Sequence, residues 1–202
     1  MEKKNYILLT IIAIAVLLVS VIGATFAYFA STTTITATSA LEAATSASAA
    51  VFSSSSTNGI SLTVTTADMQ QAAGGSGVVA ATDEGDLTVT LTADEGTVCT
   101  YNISYTHDSS ESAYTPTVGY ENQEFLVSGS SNKVGETKSL SATRYDQLTG
   151  NVITGATITA GTSTTTVTWT FTATIYNLGV NQFAALGNKT FKGSFKVSTV
   201  KC

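Results

Sequence analysis

The strongest constraint on this chain is a run of strict alternation. Val167, Trp169, Phe171, Ala173 and Ile175 are interleaved with threonines at 166, 168, 170, 172 and 174. A strand sends successive side chains to opposite faces, so this segment has one apolar and one hydroxyl-bearing face; a helix would mix them. The same period recurs in Ile60, Leu62 and Val64, in Leu87, Val89 and Leu91, and in Cys99, Tyr101, Ile103 and Tyr105. Further strands are expected around Phe125 and Val127, around Leu140, over Val152–Thr159, and through Phe191, Phe195 and Val197. The last must bend or bulge, because Val200 and Cys202 fall on the other parity. Seven to nine short strands predict an all-β, antiparallel two-sheet sandwich with short connecting helices, jelly-roll or immunoglobulin-like. A cysteine at the extreme C-terminus fits an immunoglobulin domain poorly.

Between the strands, Leu41–Phe52 is alanine-rich and reads as a short helix, and Val180–Leu186 as a helical turn or two. Ser53–Asn58 reads as a polar turn or linker, and Gly74–Gly77 as a break. Asp83-Glu84-Gly85 and Asp94-Glu95-Gly96 are expected to bracket one strand as turns, with Ser128–Asn132 as another turn.

Ahead of the β pattern, Lys3 and Lys4 precede a mainly apolar run from Ile7 to Phe29. As a helix it would reach roughly 34 Å, enough to cross a hydrocarbon core of about 30 Å. The lysines keep the short N-terminal side inside and send the remainder out. The segment is therefore a signal peptide, or a signal anchor retained through residues 7–29. Small residues in Ala24-Thr25-Phe26-Ala27 offer a cleavage site between Ala27 and Tyr28. Either way the bulk of the chain is expected to be extracellular or at the cell surface.

Gly23-Ala24-Thr25-Phe26-Ala27-Tyr28-Phe29, following the apolar run, resembles the processing region of the TasA and camelysin group. These are exported biofilm-matrix fibre and surface proteins of Gram-positive bacteria. The resemblance implies a jelly-roll-like sandwich and a mature chain beginning near Tyr28. It covers this short motif and the β-rich character downstream. The acidic residue common soon after the aromatic pair is replaced here by Ala30-Ser31-Thr32. Some camelysin-like proteins are described as metalloproteases, but this chain has no matching motif.

Charged residues are only 11% of the chain, well under the usual quarter, which favours packing of subunits over self-repulsion. They are also segregated. Ten carboxylates and no Lys or Arg lie between Asp68 and Glu124, whereas seven basic residues against two acidic ones follow from Lys133. The two halves either lie against each other in one sandwich, or offer opposed faces for head-to-tail contact between subunits. A net charge of −5 argues against nucleic acid as a partner. The two cysteines, Cys99 and Cys202, are read first as an intramolecular disulfide closing a loop of roughly a hundred residues. An intermolecular bridge and two free thiols are the alternatives.

No catalytic constellation is recognisable. His107 is the only histidine, so a two-histidine zinc site is excluded, and no G-x-S-x-G elbow singles out a serine. His107-Asp108 reads as a solvated loop. The Asp-Glu-Gly stretches lack the ligand spacing of a calcium loop and read as hairpin turns. Tyr101, Tyr105, Tyr114 and Tyr120 read as packing residues before a carbohydrate-stacking face. No cofactor or metal site is expected. The chain thus divides into a leader (1–27), an N-terminal arm and linker (28–58) and a sandwich (59–202). The function expected is not enzymatic: a subunit of a surface fibre or biofilm matrix that self-associates into filaments through strand edges, with Ser31–Ala40 as the donor strand. The alternative is a membrane-anchored adhesion or binding module.

Overall fold

The computed structural model describes residues 50–71 and 77–202. Their strands form two antiparallel sheets. One contains β1 (Val51–Asn58), β3 (Val78–Thr92), β8 (Thr165–Asn177), β5 (Phe125–Ser131) and β6 (Leu140–Arg144), in that spatial order. The other runs β2 (Ile60–Val64), β9 (Lys189–Lys201), β4 (Val98–His107) and β7 (Gly150–Thr159). Helices are confined to connections: α1 (Thr66–Gln71), a 3-10 turn at Tyr145–Gln147 and α2 (Phe183–Leu186). This is the expected antiparallel β-sandwich.

The alternation that defined the strands also defines the core. Every apolar position of β8 from Val167 to Ile175 is buried, while the threonines between them face outward. Opposing residues come from the other sheet. The Trp169 indole Nε1–H donates to the Tyr101 hydroxyl at 2.8 Å, giving both buried polar atoms a partner. Phe171 stacks on Phe195 with ring centroids 3.5 Å apart. Burial pushes the Tyr101 phenol up to about 12, because its ionised form would lose water in this setting.

The parity change in β9 is a bulge. Val197 faces Ile103 and Thr199 faces Asn102, leaving Ser198 as the extra residue. Past the bulge the strand continues to Lys201, opposite Thr100, and Cys202 is bonded to the buried Cys99 with Cα atoms 4.0 Å apart. The bridge joins neighbouring strands of one sheet.

Several local expectations are corrected. Ser53–Asn58 is a strand rather than a turn or linker, and with Val51 and Phe52 it pairs with β3 from Val51↔Thr92 to Asn58↔Asp86. Hydroxyl side chains gave this segment no apolar period, yet Phe52 is buried and anchors it. The sandwich therefore includes residues 51–58 of the expected arm and linker, and the helix expected over 41–52 does not extend into 51–52; residues 41–49 lie outside the described residues. Asp83-Glu84-Gly85 lies inside β3, where Gly85 faces Phe171. A Cβ there would meet the Asn58 carbonyl oxygen at 3.1 Å, so this glycine serves close backbone approach and not a turn. Asp94-Glu95-Gly96 is a turn, with Gly96 at φ +86°. Finally, β5 runs on through Ser131, so most of the expected turn at 128–132 is strand.

Candidate interaction surface at the sheet edges

Two sheets leave four edges: β1 and β6 on one, β2 and β7 on the other. An unpaired edge is a template for another strand unless it is short, charged, bulged or covered. β2 has five residues, and the Ser61 N–H is taken by Asp83 Oδ2 at 2.6 Å. β6 is also five residues long and ends in Arg144, which forms a two-point ion pair with Asp146 at 3.0 and 2.6 Å. β7 is longer, but its ladder with β4 shifts register where Asn102 Oδ1 accepts the Gly155 N–H at 2.9 Å. Lys133 also reaches over β7, donating to the Thr157 carbonyl at 2.7 Å and its hydroxyl at 2.8 Å. Glu136 holds Lys133 in place at 3.5 Å. Against burial that would raise it, the Lys138 N–H and the Lys133 ammonium keep the Glu136 carboxyl below the ordinary range.

β1 carries no charge, and its one irregularity is a register shift against β3 between Ser56 and Asn58. It is eight residues long, VFSSSSTN, without proline. Its inner edge pairs with β3, and no hydrogen bond among the described residues reaches its outer edge.

Away from the edges, two carboxylates organise buried polar networks. Glu124 is wholly buried and accepts from four donors: the Tyr114 hydroxyl (2.9 Å), the Thr117 N–H (3.0 Å), the Thr117 hydroxyl (2.6 Å) and the Gln182 amide (3.0 Å). Its carbonyl also accepts the Tyr176 N–H at 2.9 Å, fixing the loop before β5 to β8 and to the start of α2. The neighbouring carboxylate and burial both raise the Tyr114 phenol, burial most. Glu111 accepts the Tyr145 hydroxyl and, at 3.1 Å, the Lys192 N–H.

His107 belongs to this second network, which corrects its reading as a solvated loop residue. It is the last residue of β4, on the parity of Tyr101, Ile103 and Tyr105. Its ring packs edge-on against Tyr105 (5.0 Å) and Tyr145 (4.9 Å). Nε2 lies 2.9 Å from the Leu148 carbonyl oxygen. Nδ1 lies 2.9 Å from Glu111 Oε1, without hydrogen-bond alignment. Both ring nitrogens face acceptors, and the partly exposed ring is packed against Tyr105 and Tyr145.

Of the residues singled out by sequence, Cys99 and Cys202 are brought together, whereas Ala27, Tyr28, the span 7–29 and the donor segment 31–40 lie outside the described residues. Tyr101 and Tyr105 are buried core residues and present no stacking face, and Tyr114, partly buried, packs edge-on against Phe125 and Phe191. Glu111, Glu124, Tyr145 and Gln182 were not anticipated; each partner lies in a separate loop or strand, and only the parity of His107 was visible. Among the described residues no group of three or more His, Cys, Asp or Glu is placed to hold a metal ion, and no helix is long and apolar enough to cross a membrane. No family model, curated protein or solved structure matches the chain.

Proposed function

We propose that this chain is an exported structural subunit of a cell-surface fibre or biofilm matrix, assembled by strand addition at β1. The observation that carries the reading is the contrast among edges: β2, β6 and β7 are short, charged or covered, and β1 is eight uncharged residues whose outer side takes no hydrogen bond among the described residues. Main-chain hydrogen bonds along such an edge give affinity, and alternate side chains give register. The uncharged segment Ser31–Ala40 of a second copy is the donor strand. The strand order supports the finer fold reading as well. β2-β9-β4-β7 opposite β3-β8-β5-β6 is the order of an eight-stranded jelly roll, with β1 added beside β3. That topology agrees with the resemblance to the TasA and camelysin group.

The test is electron microscopy of secreted protein. Deleting residues 28–40, or placing a charge on the edge with Ser56→Lys, leaves a folded domain that forms no filaments. Filaments persisting in both variants refute strand addition at β1. The long apolar run of the leader favours a second reading, a membrane-anchored adhesion module. Intact mass of the extracellular product separates the two: a chain starting near Tyr28 supports the released subunit, and one retaining Met1 or Glu2 the anchor.

A further inference from the structure

The charge segregation of the sequence reappears as a difference between the two sheets. No strand of the four-stranded sheet contains a carboxylate, and its β9 carries Lys189, Lys192, Lys196 and Lys201. Lys189 is bound to the Ala113 carbonyl at 2.9 Å. The other three lie on the parity opposite to buried Phe191 and Phe195, or, beyond the bulge, opposite Thr100, and so face outward. None of the three is in an ion pair within the described residues, although Asp108 lies close enough to Lys192 to feel its charge. Lys192 and Lys196 line an open groove of about 460 Å³, floored by Gly193 and bounded by Ser61, His107 and Asp108, whose carboxylate is engaged by the Ser110 N–H and hydroxyl at 2.7 Å.

The five-stranded sheet has the complementary surface. β3 presents Glu84 and Asp86 on its outer face, opposite Thr172 and Thr170. Those hydroxyls donate to the carboxylates at 3.4 and 3.0 Å, and no cation pairs with either carboxylate within the described residues. Arg144, the only basic residue in the strands of this sheet, is already held by Asp146. The two halves of the sequence pair within the sandwich, β3 with β8 and β4 with β9, yet their charges emerge on opposite outer faces.

We infer that the lysine-lined groove on the four-stranded sheet receives the Glu84–Asp86 face of a second copy of this chain. Because the two patches lie on opposite faces of the sandwich, the contact is heterologous: each copy donates one patch and accepts on the other, and the stack stays open. Glu84 and Asp86 exchange water for the ammonium groups of Lys192 and Lys196, while the hydroxyl-bearing threonines and serines around them keep the rest of the contact polar. This deepens the fibre reading and rests on it: strand addition at β1 builds each filament, and face contacts hold filaments side by side.

The experiment uses the full-length secreted protein and two charge-reversed variants, Lys192→Glu/Lys196→Glu and Glu84→Lys/Asp86→Lys. Circular dichroism verifies that both fold; the single changes Lys196→Glu and Glu84→Lys replace either double variant that does not. Wild-type protein in low salt associates laterally, and 0.5 M salt, which screens exposed charges, weakens that association about tenfold or more. Each variant alone stays laterally dispersed, and mixing the two restores association. Electron microscopy scores filaments separately from their bundling. Unbundled filaments of each variant, with bundles in the mixture, support the face contact. Should no filaments form at all, the strand-addition reading fails, and sedimentation of the same mixture against each variant still decides the charge pairing. Lateral association unaffected by salt, or a mixture no more associated than its components, overturns the inference.

Discussion

Breaking the Cys99–Cys202 bond should lower the stability of the domain by about 4–5 kcal/mol, almost entirely through the unfolded chain. The bond spans 103 residues, and the loop-closure relation gives about 4.7 kcal/mol at 25 °C for a cross-link of that length. Residual compactness of the denatured chain makes this a ceiling. The change to make is Cys202→Ser: Cys202 is exposed, whereas replacing the fully buried Cys99 would add a cavity to the entropy effect. For a domain of this size each kcal/mol moves the melting temperature by about 2–4 °C, so the expected fall is roughly 8–20 °C. Thermal melts followed by circular dichroism give the number directly. Wild-type protein in reductant should melt with the variant, and the variant should ignore reductant. A fall below about 3 °C would refute the loop-entropy reasoning, and would mean that the bond only staples the last residues of β9 beyond its bulge.

Three further outcomes follow from the buried groups. Glu124→Gln leaves donors without an acceptor in a site closed to water, and should cost about 2–4 kcal/mol in urea unfolding; a neutral result would show that the network reorganises. Gly193→Ala drives a methyl group into the Tyr105 ring and hydroxyl, and should destabilise by about 1–3 kcal/mol. Stability should fall as pH rises from 10 towards 12. The Tyr101 phenol is raised from 10 to about 12 by burial, so its contribution is complete below the unfolded value and is lost through the folded one. Tyr105 and Tyr145 are raised further by burial, so tyrosinate absorbance at alkaline pH should appear cooperatively with loss of the fold; gradual titration at pH 10 in folded protein would contradict this.

The sandwich was legible wherever an apolar residue marked every second position, as in β2, β8 and the second half of β3. The β9 bulge was legible too, because parity is countable. What escaped were segments whose strand character comes from neighbours. Ser53–Asn58 carries no apolar period and is held by pairing with β3 and by Phe52. Gly85 looked like a turn residue because sequence does not reveal the chain crossing above it. The Glu111 and Glu124 networks join residues up to 81 positions apart, and nothing local in the sequence announces them. The edge contrast was equally hidden, since the covering of β7 by Lys133 exists only in three dimensions.

The central claim is that β1 is the joint between copies. Amide hydrogen exchange compared between dispersed and assembled protein tests it most directly. The account predicts slowed exchange across Val51–Asn58 on assembly, with the strands of the β7 and β2 edges unchanged. Unaltered exchange in β1, with new protection confined to β2, β6 or β7, would contradict it.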